Sequence, residues 1–211
     1  LEILRKSLKT GSQVVKEHFL SKNNGADTVV AQAFLMDSLI QITYETIIEK
    51  LYRAPNPTQG EQLCIVAVGG YGRGELAPFS DIDLLFLLPY KLTPHTEQVV
   101  ETILYMLWDM RLKVGHSTRS IQECMHQAKA DMTIRTTILE SRFIIGEMSL
   151  LTQMIKRFQR EVVAGTALDF VEAKLKESET RHKKLGDSRY VIEPNIKDGK
   201  GGLRDLHKLF W

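Results

Sequence analysis

Asp81 and Asp83 are separated by one residue and head an apolar run, 82–88, a short way downstream of a glycine pair, Gly69-Gly70. In a strand, side chains alternate between faces. The two carboxylates therefore project together, roughly 6–7 Å apart along the chain, while Ile82 and Leu84 turn the other way, into a core. Two acids side by side at the head of a buried strand repel each other and lose hydration, and a divalent cation is the usual compensation. A hard cation such as Mg²⁺ takes carboxylate and phosphate oxygens and keeps several waters. The glycines let backbone N–H groups approach a phosphate with no Cβ in the way, and the N-terminus of a short helix adds a favourable dipole. Paired acids beside a phosphate cradle suit nucleotidyl transfer, where metal ions stabilise both the attacking and the leaving oxygen.

Taken singly, each part has a blander reading: a glycine-rich turn, and an Asp-x-Asp on a solvated edge. Rival motifs fail on their own terms. The glycines run Gly-Gly-x-Gly-x-Gly with no Lys-Ser or Lys-Thr after them, so this is not a P-loop. A calcium loop begun at Asp81 would need Gly where Phe86 stands and Glu where Leu92 stands. A dinucleotide fingerprint needs a longer helix directly after the glycines, and Pro78 cuts in.

The elements that must position these residues are legible in outline. Residues 63–68, apolar and partly β-branched, predict a buried strand, and 82–88 a second. Between them, 72–76 predict a tight turn feeding one short helical turn. Residues 1–52 read as helical with a break at Gly25-Ala26-Asp27. Phe34, Leu35, Leu39, Ile42, Ile47 and Leu51 mark a face laid on the sheet, and Pro55, Pro57 and Gly60 end it. Thr93-Pro94 opens a helix with an apolar face from Val99 to Trp108. Residues 112–118 predict a strand beside the Asp-x-Asp strand. Ser120 with Glu123 forms a capping box for a helix to Ala130. Residues 132–163 read as helix interrupted at Gly146, with a stripe of Leu150, Leu151, Met154, Ile155, Phe158 and Val162. Residues 168–185 carry Glu172 with Lys176, Glu177 with Arg181 and Glu179 with Lys183 at i,i+4, predicting a solvated face capped by Gly186. The tail, 190–211, reads as a glycine loop followed by a helix from about Leu203.

Composition sets the outer limits. The chain has 211 residues, 43% hydrophobic and 26% charged, enough for one large or two small domains. A net charge of +2 makes no case for a nucleic-acid binder. The absence of an 18-residue apolar run and of a signal-peptide layout predicts a soluble, cytoplasmic protein with no membrane contact. Cys64 and Cys124 read as packed thiols. The start at Leu1 and the end at Trp211 within an apolar pattern predict a piece of a longer protein.

Gly69-Gly70 followed by Asp81-Ile82-Asp83 resembles the signature of the polymerase-β-type nucleotidyltransferase superfamily. The longer wording VAVGGYGRGELAPFSDIDLLFL resembles that of the bacterial uridylyltransferase/uridylyl-removing enzymes that modify the nitrogen-signalling protein PII. Residues 107–124 and 190–211 agree with it. The likeness covers most of 62–211. It implies an α/β (α+β) fold, a small mixed sheet with helical extensions at both ends. We divide the chain into an N-terminal helical segment (1–58), a nucleotidyltransferase core (59–150) and a helical extension opening a further domain (151–211). The implied reaction moves UMP from UTP to a tyrosine of PII with Mg²⁺ or Mn²⁺. The metals fall to Asp81 and Asp83, and the phosphates to Gly69 and Gly70, with Arg73 and Ser80 as further phosphate contacts.

The superfamily usually carries a third carboxylate. Asp131 and Glu140 are the candidates; Asp131 is favoured as catalytic, although it equally suits a helix N-cap. His116 is a candidate nucleotide contact or a structural histidine, and Lys197, Lys200 and Arg204 could reach a triphosphate or a protein acceptor. The metal-dependent His-Asp domain and the ACT domains of the family are not visible in 1–211, so removal of UMP is not expected of this chain. A related transferase with another nucleotide or acceptor, such as a protein adenylyltransferase, and a non-catalytic nucleotide-binding module both remain open.

Overall fold

Four short strands position the acids and the glycines. The computed structural model describes residues 1–53, 58–186 and 192–211. Pro55 and Pro57, expected to end the N-terminal helix, and Tyr190, expected to open the tail, lie outside them. β1 (Cys64–Ala67), β2 (Ile82–Leu88), β3 (Val114–Ser120) and β4 (Arg142–Gly146) form one sheet in the order β3-β2-β1-β4. β1 runs antiparallel to both β2 and β4, while β2 and β3 are parallel. The parallel pair needs a crossover, and α4 (Pro94–Asp109) supplies it, started by Thr93 with Pro94 in the first turn.

The sheet is covered on both faces. On one, Ile65, Ala67, Ile82, Leu84, Phe86 and Leu88 pack against α2 (Gly25–Thr46) and α4. On the other, Cys64, Val66, Val68, Leu85 and Leu87 pack against α5 (Ile121–Ala130), α6 (Met132–Leu139) and α7 (Met148–Phe158). Alternation along β2 therefore places Asp83 on the α5–α7 side, at the end of the strand where that second core gives way to solvent. Both thiols are buried and free. Burial pushes Cys64 up to about 12 and Cys124 up to about 11, as packed thiols require.

Several elements differ from the sequence reading. The N-terminal break falls at Asn23, which is left-handed, and Asn24, whose side chain accepts from the Ala26 and Asp27 N–H groups, so Gly25 begins α2 and α1 spans Glu2–Lys22. α2 buries Ala33, Met36, Leu39, Ile40 and Thr43, and the helix end continues as a π turn through the buried Ile47. The face is thus rotated from the expected one: Phe34 is 72% exposed and Ile42 51%. The stretch 132–163 is not helix throughout. Arg142–Gly146 forms β4, because Phe143 and Ile144 face opposite cores and the backbone groups pair with β1. The helical turn near the glycines comes earlier than expected, as α3 (Gly69–Gly72).

α8 (Ala167–Lys184) is not simply a solvated charged helix. It buries Lys174 and Ser178, and it receives the tail, which ends in the short helix α9 (Leu203–His207). Gly186, at φ +86°, follows its last turn as the cap reading requires. Among the described residues, no helix is long and apolar enough to cross a membrane.

Candidate active site

The site is assembled where β1 runs into the glycine turn beside the head of β2. The Val68 N–H donates to the Asp83 carbonyl at 3.1 Å, extending the pairing of β1 and β2 up to the turn. Gly69 then takes φ +59°, a left-handed value that glycine adopts without strain. Gly72 approaches the chain beyond α6 so closely that a Cβ would stand 1.6 Å from the Glu140 carbonyl oxygen. α3 is fixed from the other side by Tyr71, which is buried and donates its hydroxyl to Asp37 on α2. Arg142 at the start of β4 grips the same carboxylate, at 2.7 and 3.0 Å, and lies over the Tyr71 ring. The glycine turn is therefore clamped between α2, β4 and the chain after α6.

Asp83 lies on β2 and Asp81 immediately precedes that strand. Asp83 is half-buried, and its pKa is raised, first by burial and then by the negative charge of Asp81. Its register partner on β3 is Gly115. A Cβ at Gly115 would come 2.4 Å from Asp83 Oδ1, and one at Gly69 would come 3.5 Å from Oδ2. The carboxylate thus sits in a slot with glycine on both sides. Asp81 is exposed. Among the described residues, neither acid is in an ion pair. A half-buried carboxylate, unpaired and opposed by a second negative charge, fits a divalent cation. No cluster of three or more His, Cys, Asp or Glu side chains forms among the described residues. Asp81 and Asp83 would thus be the protein ligands, with water and phosphate oxygens completing the shell.

The other expected site residues are placed differently. Arg73 donates to Glu140 Oε1 at 2.6 Å and lies 3.5 Å from Glu75, so its charge is already answered. Glu140 also accepts the Trp211 indole N–H at 2.7 Å, which makes it an anchor for the tail rather than a spare carboxylate. Ser80 is exposed in the turn before Asp81, and its N–H donates to the Ala77 carbonyl. Asp131 is spent on local structure: it caps α6, accepting the Thr133 N–H at 2.6 Å and the Ile134 N–H at 3.4 Å. The same bonds hold its pKa below the usual range. The structure does not bring Asp131 into a cluster with the paired acids. His116 belongs to the opposite face of the sheet, since its register partner is Leu84, and its ring meets Trp108 edge-on at 5.9 Å between centroids. It does not share a face with the acids.

One residue escaped the sequence reading. Gly115 was passed over for its neighbour His116, although aligning the two strands at period two puts a residue of β3 directly across from Asp83. Lys197, named with Lys200 and Arg204 as able to reach a triphosphate or a protein acceptor, is exposed on the tail. Its positive charge acts on Asp83, against the effect of burial.

Comparison with known proteins adds a family to this geometry. Residues 58–144 match the nucleotidyltransferase domain model, and residues 169–211 match that of the GlnD PII-uridylyltransferase. The bifunctional uridylyltransferase/uridylyl-removing enzyme of Azospirillum brasilense is 58% identical over 99% of this chain, which covers 22% of that protein. Its counterpart in Rhodospirillum rubrum is 55% identical over 100% of this chain and 23% of its own length. Among solved structures, a crystal structure of a toxin-antitoxin with AMP-PNP covers 62% of this chain and 98% of its own, at 15% identity and a TM-score of 0.35, too loose a likeness to carry an argument. The chain spans little more than a fifth of the length of the curated relatives it matches, and it belongs to the family of the bifunctional uridylyltransferase/uridylyl-removing enzymes, within which it carries the nucleotidyltransferase domain.

Proposed function

We propose that this chain houses the uridylyl-transfer site of its family, moving UMP from UTP to a tyrosine hydroxyl of the PII signalling protein. The observation that supports this most is the slot at Asp83: a raised, unpaired carboxylate beside Asp81, walled by Gly69 and Gly115. In the proposed reaction the tyrosine oxygen bonds to the α-phosphorus of UTP, its hydroxyl proton is released to solvent, and the bond to pyrophosphate breaks. Asp81 and Asp83 hold Mg²⁺ or Mn²⁺, which when bound neutralises triphosphate charge and stabilises the entering and leaving oxygens. Gly69 and Gly70 present first-turn amides of α3, groups that have no intrahelical acceptor, to the phosphates. The core 59–150 performs this task, with 1–58 bracing the glycine turn through Asp37 and 151–211 closing over it. Arg73 acts at one remove, holding Glu140 and with it Trp211 against the turn.

The test is the longer enzyme carrying Asp81→Asn or Asp83→Asn, assayed for transfer of label from each of the four nucleoside triphosphates to PII. Transfer of uridylyl alone by the parent, lost in both variants with the fold retained by circular dichroism, is the expected result. Equal transfer by parent and variants would remove the acids from the mechanism, and preference for another nucleotide would overturn UTP.

A further inference from the structure

β3 is an edge of the sheet, with a strand on one side only. The Ile82 N–H donates to the Lys113 carbonyl at 2.9 Å, while Asp83 turns its carbonyl the other way, to the Val68 N–H. The parity of a parallel ladder then gives the backbone groups of Gly115 and Ser117 to β2 and leaves those of Val114, His116 and Thr118 pointing outward. Among the described residues, no hydrogen bond reaches these outward groups. Such an edge takes up an extended chain as an added strand. Two features fit this edge for a guest. On the α4 side, Tyr105, Trp108 and His116 form an exposed row of rings, Trp108 lying edge-on to its neighbours at 5.7 and 5.9 Å between centroids. On the other side lies Gly115, whose missing side chain leaves the way to Asp83 Oδ1 clear. Residues opposite one another on neighbouring strands share a face. A guest residue across from His116 therefore meets the rings, and its neighbour, across from Gly115, projects on the side of the sheet that holds Asp83. The Cα of that neighbour would lie two strand spacings, about 9.5 Å, from the Cα of Asp83. A long side chain crosses that gap over the bare backbone of Gly115.

A second copy of this chain is the poorer guest. Two such edges paired antiparallel about His116 would set Lys113 opposite Arg119, like charge against like, and among the described residues neither is in an ion pair that offsets it. We propose that the outer edge of β3 is the dock for the acceptor protein. An extended acceptor segment, neutral or acidic beside its tyrosine, pairs with the backbone of His116 and Thr118 and carries the tyrosine hydroxyl across Gly115 to the nucleotide held at Asp81 and Asp83. This rests on the nucleotidyl-transfer reading above and adds to it the route by which the nucleophile arrives.

The test uses the longer enzyme with PII as the acceptor. Proline is tolerated on an edge strand where its nitrogen faces outward, so His116→Pro removes one outward N–H and leaves the ladder to β2 in place. Its KM for PII is expected to rise about tenfold, the weight of one hydrogen bond, with KM for UTP and kcat at saturating PII near parental values. His116→Ala keeps the N–H and loses the ring, and should stay within about threefold of the parent. Equal losses in the two variants, a fall in kcat with KM for PII unchanged, or a parental KM for PII in folded His116→Pro would each overturn the inference. Amide exchange on the parent needs no variant. With Mg²⁺–UTP and a PII whose acceptor tyrosine is replaced by phenylalanine, the His116 and Thr118 N–H groups should exchange about tenfold more slowly than in the enzyme alone. Unchanged exchange refutes the dock even if His116→Pro fails to fold, and protection that grows with enzyme concentration in the absence of PII gives the edge to a second copy instead. A parent that transfers no uridylyl group to PII would bring down the functional reading and this inference with it, whereas parental transfer with unprotected edge amides refutes the inference alone.

Discussion

Gly115→Ala adds one methyl group in the slot occupied by Asp83. The added Cβ would stand 2.4 Å from Oδ1, whereas real Cβ contacts essentially never fall below 3.0 Å and are tight up to 3.4 Å. The obstruction is the end of a short side chain rather than backbone, so Asp83 yields, retreating by roughly 0.6 to 1 Å. Cation ligands tolerate displacements of only about 0.2 Å, and a misplacement near 1 Å costs on the order of a hundredfold in rate. Stability should move the other way or not at all. Gly115 does not occupy the left-handed region, and alanine in a strand loses less backbone entropy than glycine, by up to about 1 kcal/mol. The expected variant is therefore a well-folded protein with PII uridylylation lowered about 10- to 100-fold. Initial rates with the longer enzyme and thermal melting of the same preparation measure both halves. Parental transfer in a variant of parental stability would show that the position of Asp83 is not critical to the chemistry.

Two further changes separate roles the sequence leaves mixed. Asp83→Asn should raise the melting temperature of the metal-free protein at neutral pH, because it removes a half-buried charge that faces Asp81. The native carboxyl has a raised pKa, so its ionised form costs stability above that value and the cost fades as the pH falls through it. The gap between variant and parent should hence close on acidification into the carboxylate range; a gap constant from pH 7 to pH 4 would contradict the assignment. Asp131→Asn keeps a side chain that caps helices as well as aspartate does, so both melting temperature and transfer should stay near parental values. A loss of several orders of magnitude in transfer with an intact fold would restore Asp131 as the third carboxylate.

How much of this was legible beforehand depended on whether the signal was local. β2 was readable to the residue because its start is marked by Asp-x-Asp and its interior is uniformly apolar, the pattern of a strand buried on both faces. The helix after Ser120 was equally clear, since a capping box is written in four consecutive residues. β4 was not readable: Arg142–Gly146 is five residues between two helices, and only pairing with β1, nearly eighty positions earlier, makes it a strand. The face of α2 was misjudged for a related reason. Phe34 and Ile42 satisfy helical spacing as well as Met36 and Ile40 do, and the buried set is decided by where the sheet lies.

The site divides along the same line, between the paired acids, which the sequence displays, and the far wall of the slot, which it does not. Asp81 and Asp83 reveal themselves by alternation, a property of one strand. The slot that makes Asp83 useful is a property of two strands and a turn, since Gly115 and Gly69 matter only through the register that sets them on either side of the carboxylate. The same holds for charge. Arg73 looked available in the sequence because it follows the glycines, yet the fold gives it to Glu140, and Glu140 in turn to Trp211. Chemistry carried by a single element can thus be read from residue types and spacing, whereas chemistry completed by a second element needs the contacts themselves. In this chain the first kind supplies the paired acids and the second kind supplies the glycine walls on either side of Asp83.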